Sequence, residues 1–359
     1  MPIVAHSSLP SFTSLADRGL DVLSLDDALS QDIRELHIGL CNMMPDAALR
    51  VTEQQFIRLA GSASQIVQLY VHPFTVPGLA RSAEAQAYID EHYTPFEVLA
   101  DQGLDGLIVS GANVSNPDLA DEPFWEPLGE VMGWAHEHVT SVLCSCLATH
   151  ALLQRTHGIH RRRLLAKRWG VYEHRLVAPD HPLLRDTNTR FDVPHSRWNA
   201  VTTAQLRAAG IEVLIESVEG DVHLAVSPDG FRTVYLQGHP EYDTTSLLKE
   251  YKRELGRYVE GEIDGLPPLP ERYLTEDAAR LASAHLEAVV AARAAGEPAP
   301  PFPEDELTPG LHNTWADTAK AVFNNWLGLI YRLTDHERGV PFMANVDPND
   351  PIGWRTRRS

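Results

Sequence analysis

Apolar residues in this chain fall in short dense runs separated by longer amphipathic stretches. Leu36-His37-Ile38-Gly39-Leu40-Cys41 reads as a buried strand, broken by Pro45. Thr52 opens a helical pattern with Phe56, Ile57 and Leu59 apolar and with Glu53 and Gln54 near its start. Gln65 to Val71 predicts a second strand, and Leu104 to Ser110, ending at Gly111, a third. Trp125 to His136 is helical in pattern. Ser141 to Cys144 is a fourth strand, leading into the helix-like run Leu147 to Leu153. Ile211 to Ser217, His223 to Val226 and Thr233 to Gln237 read as later strands. Strands that alternate with helices predict an α/β fold, a mostly parallel sheet with helices on both faces.

The flanks break this rhythm. Residues 1–35 read as a polar, irregular arm on the surface, 36–340 as the main domain, and 341–359 as a polar, loosely held tail. A helical segment at about 272–300, with its long Ala-rich helix from Arg272 to Ala295, lies between Pro267-Pro268 and the run Pro298 to Pro303. It reads as an addition to the main domain.

Composition narrows the partners. The chain has 359 residues, 43% of them hydrophobic, and a formal net charge of −19. Such a surface repels nucleic acid and anionic membranes, so neither is an expected partner. No run of about 18 apolar residues occurs, so no helix is expected to span a membrane. The cysteines, Cys41, Cys144 and Cys146, form no disulfide framework and suit a reducing compartment. No signal pattern opens the chain, and a cytoplasmic location is expected. His160 to Arg163 with Lys167 and Arg168 form a dense basic cluster, either a solvated face or a site for phosphate or carboxylate. Metal-ligand spacings and phosphate-binding glycine loops are missing, so neither a metal nor a nucleotide cofactor is expected.

Candidate chemistry collects at strand ends, as it does in open parallel sheets. Cys146 follows the fourth strand and precedes a helix, where the dipole and free N–H groups favour a thiolate. A buried, inert thiol is the competing reading, and it is the one preferred for Cys144. Gly238-His239-Pro240-Glu241 follows another apolar run. A thiol, an imidazole and a carboxylate two residues beyond it are the parts of a nucleophilic triad. His239 could instead be a turn residue and Glu241 a solvated charge. Pro194-His195-Ser196-Arg197-Trp198 reads either as a structural loop or as a source of polar groups for a small ligand.

Nine stretches, in order, resemble the homoserine O-succinyltransferase family, the homoserine O-acyltransferases of methionine biosynthesis. They are Leu40-Cys41-Asn42-Met43-Met44-Pro45, Thr52-Glu53-Gln54-Gln55-Phe56, Gly106-Leu107-Ile108-Val109-Ser110-Gly111-Ala112, His138-Val139-Thr140-Ser141, Cys146, Gly170-Val171-Tyr172-Glu173-His174, Pro194-His195-Ser196-Arg197, Gly238-His239-Pro240-Glu241-Tyr242-Asp243 and Asn325-Trp326-Leu327. The resemblance implies a flavodoxin-like fold related to class I glutamine amidotransferases. It also implies an acyltransferase using succinyl-CoA and L-homoserine as substrates, no cofactor, and a homodimer.

By the same resemblance Cys146 is the acyl-accepting nucleophile, His239 the general base and Glu241 its partner. Lys167, Ser196 and Arg253 become substrate contacts, and Ser115 tunes the donor. A small residue at Ser115 favours succinyl-CoA over acetyl-CoA. The oxyanion is expected on the backbone N–H of Leu147 and a second N–H at Gly111 or Ala112. The basic stretch His160 to Arg163 is assigned to the CoA phosphates. Asn113 departs from the family's usual proline, and the helix around Arg280 has no assigned counterpart. Three rivals are an acetyl-CoA-dependent enzyme, a glutamine amidotransferase and a non-catalytic binding protein. The amidotransferase elbow normally has glycines where this chain has Cys144-Ser145 and Leu147-Ala148.

Overall fold

Eleven strands join in one sheet among the described residues, 2–62 and 67–357, of the computed structural model. They are β1 (Ile3–Ala5), β2 (Val22–Ser24), β3 (Glu35–Cys41), β4 (Gln68–Phe74), β5 (Gly106–Val109), β6 (Ser141–Ser145), β7 (Arg162–Leu176), β8 (Arg190–Ala200), β9 (Glu212–Ser217), β10 (Val222–Val226) and β11 (Thr233–Leu236). The order is β2-β1-β4-β3-β5-β6-β11-β10-β9-β7-β8. Pairing is parallel from β2 through to β11 and antiparallel from β11 through to β8. The segment β4-β3-β5-β6-β11 has the flavodoxin-like arrangement, whose ligand crevice lies where the order reverses, between β3 and β5.

Strand alternation divides the core in two. Leu36, Ile38 and Leu40 of β3 enter one layer with Phe56 and Leu59 of the helix Asp46–Gly61 and Phe323 and Trp326 of the helix Ala316–Leu333. Leu107 and Val109 of β5 and Val142 and Cys144 of β6 enter the other. Its cover is Leu128 and Val131 of the helix Trp125–His138 and Ala148 and Leu152 of the helix Leu147–His157. Helices thus cover both faces, as the pattern predicts. Full burial of a side chain such as Phe56 or Leu143 contributes roughly 1.5–3 kcal/mol.

Several expectations need correction. The N-terminal segment is not an irregular arm. It adds β1 and β2 to the sheet edge and buries Ile3, Val4, Leu9, Phe12 and Leu15. Strands of three residues are too short to show an alternation in sequence. The helix expected from Thr52 begins at Asp46, directly after Pro45, with the acid in its first turn. The strand expected from Gln65 starts at Gln68, and residues 63–66 lie outside those described. The tail past Val340 is held: Thr140 Oγ1 donates to Pro341 O (2.6 Å), Trp354 Nε1 to Glu212 (2.6 Å), and Phe342 and Trp354 are buried. Two aromatic anchors in a polar stretch give no periodic signal.

The appended helical segment makes a third core. Ala278, Ala282 and Val289 of the helix Glu276–Ala295 pack with Leu247, Leu248, Tyr251 and Leu255 of the helix Ser246–Val259 and with Trp169 and Val171 of β7. Gly170, at φ +151°, lets the backbone of Glu271 approach so closely that a Cβ would lie 2.2 Å from its carbonyl oxygen. The segment therefore buttresses the helix that carries Arg253.

Candidate active site

The turn from β6 into the helix Leu147–His157 allows no regular conformation at its corner. Cys146 sits there at φ 52°, ψ −108°, a left-handed strain on the order of 1–3 kcal/mol. Its N–H donates to Leu236 O at the end of β11 (2.8 Å), and Thr149 Oγ1 donates to Cys144 O (2.8 Å) and Leu236 O (2.9 Å). These bonds hold the corner without using the sulfur, which stays partly exposed. Cys41 and Cys144 are fully buried. Burial pushes the Cys41 thiol up to about 12 and the Cys144 thiol higher still.

β11 is paired with β6, so the loop leaving it arrives beside the corner. His239 N–H donates to Pro194 O (2.8 Å), and its Nδ1 meets Glu241 Oε1 at 2.8 Å. The ring stacks on Tyr242, centroids 4.3 Å apart. The Cys146 thiol is close enough to act on the ring electrostatically. Burial lowers the His239 pKa, but the Glu241 carboxylate and the Cys146 sulfur together carry it well above the ordinary 6.5. Glu241 is 3% exposed, and its Oε2 has no partner. A buried carboxylate with one oxygen unpaired favours a charged ring beside it.

Behind His239, Gly238 is closely packed. A Cβ there would lie 2.5 Å from Val193 Cγ1, 2.9 Å from His223 Nδ1 and 3.0 Å from His195 Cε1. His174, His195 and His223 are buried together, His174 stacked on His195 and His223 edge-on to both. Burial takes His174 down to about 4 and the other two well below the ordinary value, so this packing is uncharged. A Gly238→Ala change is expected to destabilise the fold by about 1–3 kcal/mol and to displace His239. Denaturant unfolding and turnover, measured together, check this. An unchanged midpoint would contradict the packing described.

A cleft of about 730 Å³ opens beside this group, lined by Met44, Gly111, Lys167, Ser196, His239, Glu241, Tyr242, Glu250 and Arg253 among others. The sequence-predicted Lys167, Ser196 and Arg253 thus meet, although they come from β7, β8 and the helix Ser246–Val259. Arg253 is half-exposed, with Nε 3.5 Å from Glu254. The Pro194–Trp198 stretch, read as a loop or a polar ligand site, is strand β8, which turns Ser196 and Trp198 into the cleft and buries His195 and Arg197.

Gly111 borders the corner, its added Cβ being 3.7 Å from Cys146 Cβ and 3.8 Å from Leu147 N. The Leu147 amide, at the first helical position, has no intrahelical acceptor. Ala112, half-buried, follows on the same loop. Ser115 is exposed and is not among the cleft's lining residues. Its N–H and that of Asn116 both donate to Glu122 Oε1 (2.9 and 2.7 Å).

The homoserine O-succinyltransferase family model matches residues 2–336. The chain belongs to the homoserine O-succinyltransferase family. The homoserine O-succinyltransferase of Methylococcus capsulatus is 57% identical over 353 residues, covering 98% of this chain and 99% of its own length. That of Methylobacter tundripaludum is also 57% identical, covering 98% and 100%. Among solved structures, a glutamine amidotransferase from Methylobacillus flagellatus matches with a TM-score of 0.44 at 13% identity, over 83% of this chain and 95% of that one.

In this member of the homoserine O-succinyltransferase family the residue that organises the cleft is one the sequence did not reveal. Glu250 accepts from Ser196 Oγ (2.6 Å), Tyr242 OH (2.5 Å) and Trp169 Nε1 (3.0 Å), and lies 3.7 Å from Lys167 Nζ. Burial lowers the Lys167 pKa while Glu250 opposes the shift, and burial with the Glu250 charge raises Tyr242 well above its ordinary value. Tyr242 therefore stays a donor. On an amphipathic helix Glu250 reads as a solvated charge. Its place three residues before Arg253, on the same helix face, was the available signal.

Proposed function

We propose that this chain transfers the succinyl group of succinyl-CoA to the hydroxyl of L-homoserine, giving O-succinyl-L-homoserine and CoA, through a thioester on Cys146. The observation that carries the reading is the Cys146 thiol against His239, itself steered by buried Glu241, at the edge of a polar cleft in a member of this family. In the first half-reaction the Cys146 sulfur, its proton held by His239, attacks the thioester carbonyl. The C–S bond to CoA breaks, and the departing thiolate takes the His239 proton. In the second, His239 removes the homoserine hydroxyl proton as that oxygen attacks the enzyme thioester. The C–S bond to Cys146 breaks and the sulfur is regenerated. Splitting the transfer in two predicts ping-pong kinetics.

Leu147 N–H and an N–H of Gly111 or Ala112 are assigned to the oxyanion, each such donor being worth ~3 kcal/mol. Arg253 is assigned to the homoserine carboxylate, with its planar fork, and Lys167 and Ser196 to the amino-acid end, oriented by Glu250. No cofactor is required, since covalent and acid–base chemistry suffice. A homodimer, which rests on the family resemblance, and a cytoplasmic setting, which rests on the cysteine usage, belong to the same proposal. Among the described residues no helix is long and apolar enough to cross a membrane.

The reading is tested by incubation with succinyl-CoA in the absence of homoserine. A mass increase of one succinyl group on the peptide containing Cys146 is expected, discharged on adding homoserine. A protein that gains no mass, yet is folded, contradicts it. Ser115, on the loop that leaves β5 and passes the nucleophile at Gly111, is assigned to donor choice. Ser115→Glu is expected to move the ratio of kcat/KM for succinyl-CoA over acetyl-CoA toward acetyl by about tenfold or more, because like charges repel. An unaltered ratio in a two-donor assay would place donor choice elsewhere.

A further inference from the structure

The basic cluster of the sequence disperses in three dimensions. Lys167 enters the cleft, Arg168 pairs with Glu219 (3.2 Å) and Asp221 (3.0 Å), and Arg163 lies over the Trp198 ring. Arg161 goes elsewhere. It lays its guanidinium on the loop after β5, where Nη2 donates to Asn116 O (2.9 Å) and reaches Pro117 O (3.4 Å). Its Nε and Nη1 are covered and meet no acceptor. Among the described residues no carboxylate oxygen lies within ion-pair distance of it, although the Glu122 and Asp118 charges act on it from further off. A half-buried guanidinium with two of its nitrogens lacking acceptors is a ready receptor for an anion.

The loop that Arg161 braces is the one whose other end touches the nucleophile, through Gly111. Arg161 and the Cys146 sulfur are close enough to act on one another electrostatically. Arg161 is not part of the cleft lining that holds Lys167 and Arg253. The reaction brings two carboxylates to one sulfur, that of homoserine and that at the far end of the succinyl group. Each needs its own cation once water is excluded. Arg197, the other guanidinium near the sulfur, is already committed. Its Nη2 lies 3.5 Å from Asp221, its Nη1 donates to Asn199 O (2.9 Å) and its Nε to His195 (3.3 Å). Arg161 commits only Nη2, to the Asn116 and Pro117 carbonyls, and leaves Nε and Nη1 without an acceptor.

We propose that Arg161 receives the distal carboxylate of the succinyl donor and thereby sets the preference for a dicarboxylic acyl group over a neutral one. This deepens the acyl-transfer reading above and rests on it. The test compares succinyl-CoA with butyryl-CoA, which has the same chain length without the charge, and with acetyl-CoA. Arg161→Gln is expected to lower kcat/KM for succinyl-CoA by about 10- to 100-fold. The two neutral donors should change less than about threefold, with an unaltered KM for homoserine. Arg161→Lys, which keeps the charge but not the fork, is expected to lose only part of the succinyl preference. If the glutamine variant is not recovered folded, the lysine variant's donor ratio decides, and a ratio equal to wild type overturns the proposal. An equal fall with all three donors would make Arg161 a brace for the loop and nothing more. A wild-type protein inert to every donor defeats the acyl-transfer reading itself. An active wild type with an unaltered variant ratio defeats only the role of Arg161.

Discussion

A Cys146→Ala variant is expected to lose acyl transfer by on the order of 10⁵-fold or more, and the covalent adduct with it. The loss is specific to the sulfur. The corner is held by Cys146 N–H on Leu236 O and by the Thr149 hydroxyl, and alanine keeps the same Cβ. The fold should therefore survive, with a melting temperature within a few degrees of wild type. No other thiol can substitute, because burial holds Cys41 and Cys144 in the protonated form. Intact-mass measurement after exposure to succinyl-CoA checks this. An acylated variant protein would move the nucleophile away from this corner.

Glu241→Gln comes next in size. The amide can still accept from His239 Nδ1–H, so the ring keeps a partner, but the negative charge is gone. Turnover is expected to fall about 10²- to 10⁴-fold. The carboxylate favours the protonated ring, so its removal must lower the His239 pKa, a shift that imidazole NMR titration reads directly. Stability follows with a definite sign. The folded-state His239 pKa lies above the ordinary 6.5, so the pair stabilises the fold fully below that value. This contribution fades as pH rises through the raised value. The variant's stability deficit should accordingly be larger at mildly acidic than at alkaline pH. Unchanged turnover with an unshifted titration would remove Glu241 from the mechanism.

The parallel half of the sheet was legible because each of its inner strands, β3, β5 and β6, is a dense apolar run buried on both faces. Strand β7 escaped notice for a physical reason. Between Arg163 and Arg168 its pairing with β8 slips, and four residues, Leu164 to Lys167, face Trp198 alone. The bulge leaves Leu165 fully in solvent and scrambles the two-residue alternation. Read linearly, the result is a basic patch, and only the fold shows that Lys167 and Arg161 leave it in different directions. The His239–Glu241 spacing was legible because both side chains come from one short loop. Glu250 was not, since its partners Ser196, Tyr242 and Trp169 are brought to it by three separate segments.

The strand that delivers Cys146 has one neighbour from just upstream and one from far downstream, since Val142 pairs with Leu107 on one side and Thr233 on the other. During synthesis the ribosome therefore releases the nucleophile well before its base. Until Thr233–Leu236 emerges, β6 is an open, hydrophobic edge able to pair with another nascent chain. Conditions that stall translation in that interval should raise aggregation more than stalling after Glu241, and a chaperone that shields strand edges would be most useful there.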